Sequence, residues 1–268
     1  MSGGEGRRGV AIALASTVVF FTLLGVAITH APGWPEVKRT FFDWDQFRDS
    51  MPEIADAFLL NVKMFCIAEV FILVFALALA VIRSLPGPVF FPMRALGIAY
   101  ADFFRGVPTI LVIALLGFGA PALQLEHVPL STTFWGIVAL VLVYTAYVSE
   151  VYRAGIESVH RSQDAAARSL GLTHWQSLRK VVLPQAVRRV IPPLLNDFIG
   201  LQKDTALVGF LGSVEAFKQS QIDAAATFNY TPFVAAAVLF VALTIPLARF
   251  TDWLVEHDRR RRHAGATG

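Results

Sequence analysis

The chain has a single cysteine, Cys66, in 268 residues. That excludes an internal disulfide framework and any Cys-x-x-Cys redox or metal motif. Its setting in an apolar run reads as a small packing position. Charge is also scarce, at 16% of residues, against about 25% in soluble domains. The six histidines, at 30, 127, 160, 174, 257 and 263, include no pair three or four residues apart, so no helical metal site is indicated. No Gly-x-x-x-x-Gly-Lys-(Ser/Thr) phosphate loop occurs anywhere, and there is no nucleophile elbow. These absences argue against a membrane-embedded enzyme and against nucleotide hydrolysis by this chain.

Apolar residues are abundant instead. They make up 55% of the chain before glycine is counted, and the mean hydropathy is +0.58. Disorder, a nucleic-acid-binding tail and most soluble enzyme classes are excluded. The composition is that of an all-α polytopic membrane protein. Five runs are long enough to cross a hydrocarbon core about 30 Å thick: Val10 to Ile28, Met64 to Ile82, Gly106 to Leu125, Val128 to Ser149 and Tyr230 to Ala248. A sixth, Val190 to Val214, is interrupted by Asp197, Lys203 and Asp204. Including it gives about six transmembrane helices. The first run follows Arg7 and Arg8 in the manner of a signal peptide, but its apolar core is too long and lacks a clean cleavage site, so a retained helix is expected.

The basic residues then orient the chain. With both termini inside, sixteen of the 23 lysines and arginines fall in cytoplasmic segments and four, Lys38, Arg39, Arg48 and Lys218, fall outside. That asymmetry follows the positive-inside rule. The expected organisation is an N-terminal helix with an acidic and aromatic external loop (1–56), a transmembrane domain (57–255) and a basic cytoplasmic tail (256–268). The external loop carries Glu36, Asp43, Asp45, Asp49, Glu53 and Asp56 beside Trp34, Phe41, Phe42 and Trp44. It reads as an interfacial segment or as a docking surface for an external partner. The tail, His257-Asp-Arg-Arg-Arg-Arg-His263, reads as a solvated cytoplasmic end with anionic membrane lipid as its expected contact.

The long inside segment Glu150 to Arg189, between the fourth and fifth spans, is the informative one. Ser162 can cap a helix from Gln163, with Asp164 at its positive end and Ala165, Ala166, Ala167, Arg168 and Leu170 favouring helix. Gly171 suits a left-handed stop. Thr173-His-Trp-Gln176 is a capping-box pattern, followed by an apolar stripe at Trp175, Leu178, Val181 and Val182 and closed by Pro184. Two short helices at an angle make a compact knob. From the residues alone it is either a surface-lying amphipathic segment or a docking site for a soluble partner.

The stretch from Gln163 to Pro184 resembles the EAA loop of ABC transporter permeases: Glu-Ala-Ala, three residues, Gly, nine residues, Ile, one residue, Leu-Pro. Ala166, Ala167, Gly171, Leu183 and Pro184 match, Val181 stands for Ile, and Ala165 occupies the glutamate position, with Asp164 before it. Phe104-Arg-Gly-Val-Pro108, Tyr147-Val-Ser-Glu-Val-Tyr-Arg-Ala-Gly155, Leu183-Pro-Gln-Ala-Val-Arg-Arg-Val-Ile-Pro-Pro193 and Lys203-Asp-Thr-Ala-Leu-Val208 are similar to the polar amino acid branch of these permeases. The resemblance covers about residues 57 to 255. It implies a plasma-membrane permease subunit of a binding-protein-dependent, ATP-driven importer. It also implies a second permease, identical or homologous, two ATPase subunits that bind the ATP, and a secreted solute-binding protein. No cofactor or metal is expected on this chain. The knob, through Gln163, Asp164, Ala165, Ala166, Ala167, Leu170, Gly171, Leu183 and Pro184, would be the ATPase dock. The rival class is a secondary transporter driven by an ion gradient, using Asp204 or Glu69.

Ionisable residues inside spans are pathway candidates. Lys203, Asp204 and Thr205 interrupt the sixth candidate run, and either line a translocation cavity or hold a structural network. Asp102 and Arg105, three apart, can satisfy each other. Glu150, Arg153 and Glu157 share a helix face. Both charged sets read as structural or gating groups. Lys63 and Glu69 do not share a face, and Lys63 is expected to snorkel outward.

Overall fold

The structure is a computed structural model that describes the backbone of residues 3–85 and 87–266. The side chains of 3–8, 161, 174 and 258–266 lie outside that description, and with them Arg7, Arg8 and the arginines of the tail. Among the described residues every regular element is helical. In chain order these are α1 (Gly3–Thr29), α2 (Trp34–Phe41), α3 (Trp44–Ser84), α4 (Phe91–Gly106), α5 (Thr109–Ala122), α6 (Thr132–Glu157), α7 (Arg161–Ser169), α8 (His174–Ser177), α9 (Leu183–Asp204), α10 (Ala216–Thr227) and α11 (Thr231–Ala266). A π segment, Leu178–Val182, joins α8 to α9, and a 3-10 segment, Thr205–Leu211, follows α9.

Four stretches are long and apolar enough to cross a membrane: Gly9–Thr29, Trp34–Ser84, Thr132–Glu157 and Thr231–His257. The expected third span, Gly106 to Leu125, is not one straight helix. Pro108 has no N–H and pushes Val107 to extended backbone (ψ 131°), so α4 stops and α5 restarts. The pair Pro88–Gly106 and Thr109–Ala122 is bent by 100° and makes a fifth crossing if counted as one. The run Val190 to Val214 is also divided. α9 ends at Asp204, and the 3-10 segment stops at Gly212, which sits at φ +89°, backbone that glycine adopts without steric cost. α9 has 22 residues, about 33 Å of helix, which is long enough to span but is interrupted by charge.

The acidic segment expected outside the membrane is helical as well. Asp43 caps α3, its Oδ1 accepting from the backbone N–H of Asp45 at 3.0 Å and of Gln46 at 3.2 Å. α3 then runs 41 residues, about 61 Å, roughly twice the thickness of a hydrocarbon core. α2 is tied to the turn before α11: Asn229 Nδ2 donates to the Arg39 carbonyl at 3.0 Å, and Phe41 stacks on Tyr230. The apolar window of α1 is 0% buried.

α6 is the central helix, packed against α3, α4, α5 and α9. Its Ala139, Leu140, Val143 and Val148 meet Met64, Ala68, Ile72 and Ala76 of α3 in one core. The spacing Met64, Ala68, Ile72, Ala76, Ala80 puts mostly small side chains on one stripe of α3, which lets membrane helices approach closely. Glycines do the same at two further crossings: Gly136 faces Val208, and Gly155 faces Val190. Cys66 falls off the core stripe and is exposed on α3, so it is not the packing residue expected.

Candidate functional site

The knob between α6 and α9 is built as two short helices around a bend. α7 begins two residues earlier than expected: His160 caps it, its ring nitrogen accepting from the N–H of Ser162, and Ser162 lies inside the helix. α7 ends in a Schellman motif. The N–H of Leu172 bonds to the Ala167 carbonyl at 3.3 Å and the N–H of Gly171 to that of Arg168 at 3.0 Å, with Gly171 at φ +89°. The capping box forms in both directions: Thr173 N–H to Gln176 Oε1 at 3.0 Å and Gln176 N–H to Thr173 Oγ1 at 3.3 Å. Pro184 does not close the unit. It sits in the first turn of α9, directly after the π segment, and helical backbone continues from His174 to Asp204.

Asp164 turns inward, accepting a 2.6 Å bond from Ser177 Oγ. Ala167 is buried, whereas Gln163, Ala165, Ala166 and Gly171 lie on the exposed side. Leu170 is 82% exposed and Trp175 67%. Both apolar side chains are thus held outward on a braced frame. At the base of the knob, the Arg189 guanidinium donates to the Ser158 carbonyl, clasping α9 to the end of α6.

Above the knob, Glu150 gathers three guanidinium groups. Its Oε1 lies 2.5 Å from Arg83 of α3 and 3.7 Å from Arg105 of α4, and its Oε2 accepts from Arg153 Nη2 at 2.7 Å. Arg153 also reaches Glu157 at 2.6 Å. The Glu150–Arg153–Glu157 face is therefore as expected. The Asp102–Arg105 pair is not: Arg105 turns to Glu150, and Asp102 is exposed, with no ion pair to Arg105 among the described residues.

Lys203, Asp204 and Thr205 do not converge, because successive helical residues point about 100° apart. Asp204 enters a polar cleft between α5, α6 and α9, where its Oδ2 accepts from Tyr144 Oη at 3.0 Å. Thr109, Tyr147, Asn196 and Asp197 line the same cleft, whose volume is 190 Å³. Lys203 instead lines an apolar groove with Phe217, Phe233 and Phe240. Thr205 is fully buried in a third environment. Its hydroxyl donates to the Gln202 carbonyl at 2.7 Å and accepts from Asn61 Nδ2 at 3.1 Å.

Asn61 leads to a carboxylate missed in the sequence. Glu215 is fully buried and accepts from Asn61 Nδ2 at 3.0 Å and from the N–H groups of Phe217 and Lys218 at 2.9 and 2.8 Å. It caps α10 while Asn61 Oδ1 takes the N–H of Ala216. A buried carboxylate with donors to both oxygens is a structural anchor. The signal for it was weak, an acidic residue at a helix start. The signal for the cleft was clearer, since Asp197, Gly200 and Asp204 recur at steps of three and four. Among the described residues, no three His, Cys, Asp or Glu side chains are grouped to hold a metal ion.

The comparisons with known proteins assign this helical bundle to a family. Residues 81–260 match the family described as binding-protein-dependent transport system inner membrane component. The chain belongs to that family and is a multi-pass membrane protein. It is 35% identical over 204 residues to the "Probable amino-acid permease protein YxeN" of Bacillus subtilis, covering 76% of this chain and 90% of that one. The "Probable glutamine ABC transporter permease protein GlnM" of the same organism is 35% identical over 182 residues, 68% of this chain and 82% of its own. Among solved structures, an amino acid ABC transporter matches with a TM-score of 0.72 at 26% identity, over 80% of this chain and 98% of that one.

Proposed function

We propose that the chain is the amino-acid permease subunit of an ATP-driven ABC importer. A second permease subunit pairs with it, and separate ATPase subunits bind and hydrolyse ATP. An external binding protein delivers the solute. The reading takes α9 as a further crossing, giving about six, with both termini and the knob in the cytoplasm. The observation that carries it is the knob, with Leu170 and Trp175 exposed on a frame fixed by the Gly171 motif and the Asp164–Ser177 bond.

The mechanism follows from continuity. Helical backbone is unbroken over the 31 residues from His174 to Asp204, through the π segment and past Pro192 and Pro193. It starts in the knob and ends in the polar cleft. ATPase closure displaces the knob. The Arg189 clasp and the Glu150 cluster carry that displacement to α6, α3 and α4, and the cleft changes the side to which it opens. The chain transmits movement and performs no bond chemistry.

The test is reconstitution in proteoliposomes with the ATPase and the binding protein. Uptake of a radiolabelled amino acid should require ATP, and Trp175→Glu should release the ATPase. Uptake driven by an ion gradient with no ATPase present would overturn the proposal. For sidedness, a single cysteine at Thr173 in a Cys66→Ser background should react with a membrane-impermeant maleimide in inside-out vesicles alone.

A further inference from the structure

We infer that the π segment Leu178–Val182, together with Pro184, is a hinge at which the knob tilts against α9 during the ATPase cycle. The knob then keeps its seat on the ATPase while the membrane helices reorient. This rests on the permease reading and deepens it, by locating the joint in the transmission.

Three observations carry it. The first is the backbone. The N–H of Leu183 bonds to the carbonyl of Leu178, five residues back, a wider turn than the four-residue rung of an α-helix. The next rung is missing, because Pro184 has no N–H to donate. Prolines and π bulges are among the few features at which helices kink sharply, and here the two adjoin. The second is light packing. None of the five side chains of the segment is buried, and Arg179 and Lys180 are exposed. The third is that both flanks are braced. Before the segment, Ser177 is fully buried and bonded to Asp164, and Ala167 is buried beside them. After it, Ala186 and Val190 are buried, Val190 against Gly155 of α6, and Arg189 clasps the Ser158 carbonyl. Two braced bodies joined by a loosely packed turn that lacks a hydrogen bond bend at that turn.

Continuity and flexure then have separate roles. The unbroken backbone passes translation from the knob to α9, and the joint absorbs tilt. Leu170 and Trp175 both precede the segment, so they ride with the knob. Pro192 and Pro193 interrupt the ladder further on, but both are half-buried in the helix packed along α6. A tilt of about 20°, the scale of a sharp helix kink, acting over the roughly 13 Å length of a nine-residue helix such as α7, displaces its far end by about 4–5 Å.

The experiment measures spin-label distances by double electron–electron resonance in the assembled permease–ATPase complex, nucleotide-free and trapped with ATP and vanadate. The background is Cys66→Ser, and labelled chain is diluted with unlabelled chain so that each complex carries one labelled copy. One pair, Arg168→Cys with Arg188→Cys, spans the joint. The other, Ile156→Cys with Arg188→Cys, links α6 to α9 on one side of it. The first distance should change by at least about 3 Å between the two states and the second by less than about 1 Å. Pro184→Ala supplies the missing N–H, and the change at the first pair should fall by at least half. Should Pro184→Ala fail to assemble, the two pairs in the otherwise unaltered chain decide. A constant first distance would show that the knob and α9 move as one rigid piece, which overturns the hinge and leaves the importer standing. A second distance that changes as much as the first, or a Pro184→Ala change undiminished, would also overturn it. Failure of the unlabelled chain to assemble with an ATPase would overturn the importer reading, and the hinge with it.

Discussion

The buried Ser177 hydroxyl donates a 2.6 Å hydrogen bond to Asp164 Oδ1, thirteen residues earlier in the chain. It joins α7 to α8 across the Gly171 bend and makes the knob one body. Both partners contribute only if both are present. Asp164→Ala leaves a buried donor unpaired, and Ser177→Ala leaves a part-buried carboxylate without it. A double-mutant cycle should return a coupling energy of about 1–2 kcal/mol, measured by thermal unfolding in detergent. A coupling near zero would mean the two helices hold together without this bond.

Gly171→Asp should separate ATP hydrolysis from uptake. At φ +89° any L side chain is strained, by about 1–2 kcal/mol, although the space around Gly171 is open. Insertion and abundance should therefore change little, since nothing clashes. The angle between α7 and α8 should change, and the exposed Leu170 with it. The measurement is moles of ATP hydrolysed per mole of solute imported, expected to rise severalfold. An unchanged ratio would show that the bend is not part of the coupling.

The knob was legible in the sequence because its determinants are local. A glycine stop and a Thr–Gln box act within one or two helical turns, and both formed as expected, whereas His160 supplies the cap in place of Ser162 and Pro184 continues the helix instead of closing it. The cleft was only partly legible. Asp204 was marked by its charge, but its donor Tyr144 lies 60 residues away on another helix, a distance over which no periodicity informs. Asn61 and Glu215, 154 residues apart, were silent for the same reason. The break at Pro108 was readable in principle, but the uncharged run around it concealed it.

Glu150 should be worth more to stability than an ordinary surface ion pair. Arg83, its 2.5 Å partner, is 8% exposed. Glu150→Ala leaves that guanidinium buried without its counter-charge, a loss of about 3–5 kcal/mol. Arg105, at 3.7 Å and 43% exposed, is a peripheral member, and Arg105→Ala should cost no more than about 1 kcal/mol. Thermal unfolding of the two variants in one detergent separates the cases. Equal losses would contradict this ranking.

Gly136 provides the sharpest test of how the 3-10 segment is held. A Cβ at this position would collide with the side chain of Val208, where α6 crosses the Thr205–Leu211 segment. Gly136→Ala gains helix propensity worth about 1 kcal/mol, yet forces methyl groups apart in a packed interior, which costs about 1–3 kcal/mol. The net change should be destabilising. Val208→Ala alone leaves a cavity and also destabilises. Combined, the new methyl occupies the space that Val208 vacated, so the double variant should be more stable than the sum of the two losses predicts, by at least about 1 kcal/mol. Uptake should follow the same order, because the segment displaced by the collision begins one residue after Asp204. Strict additivity would place Gly136 and Val208 out of contact and refute the close approach of α6 to the end of α9.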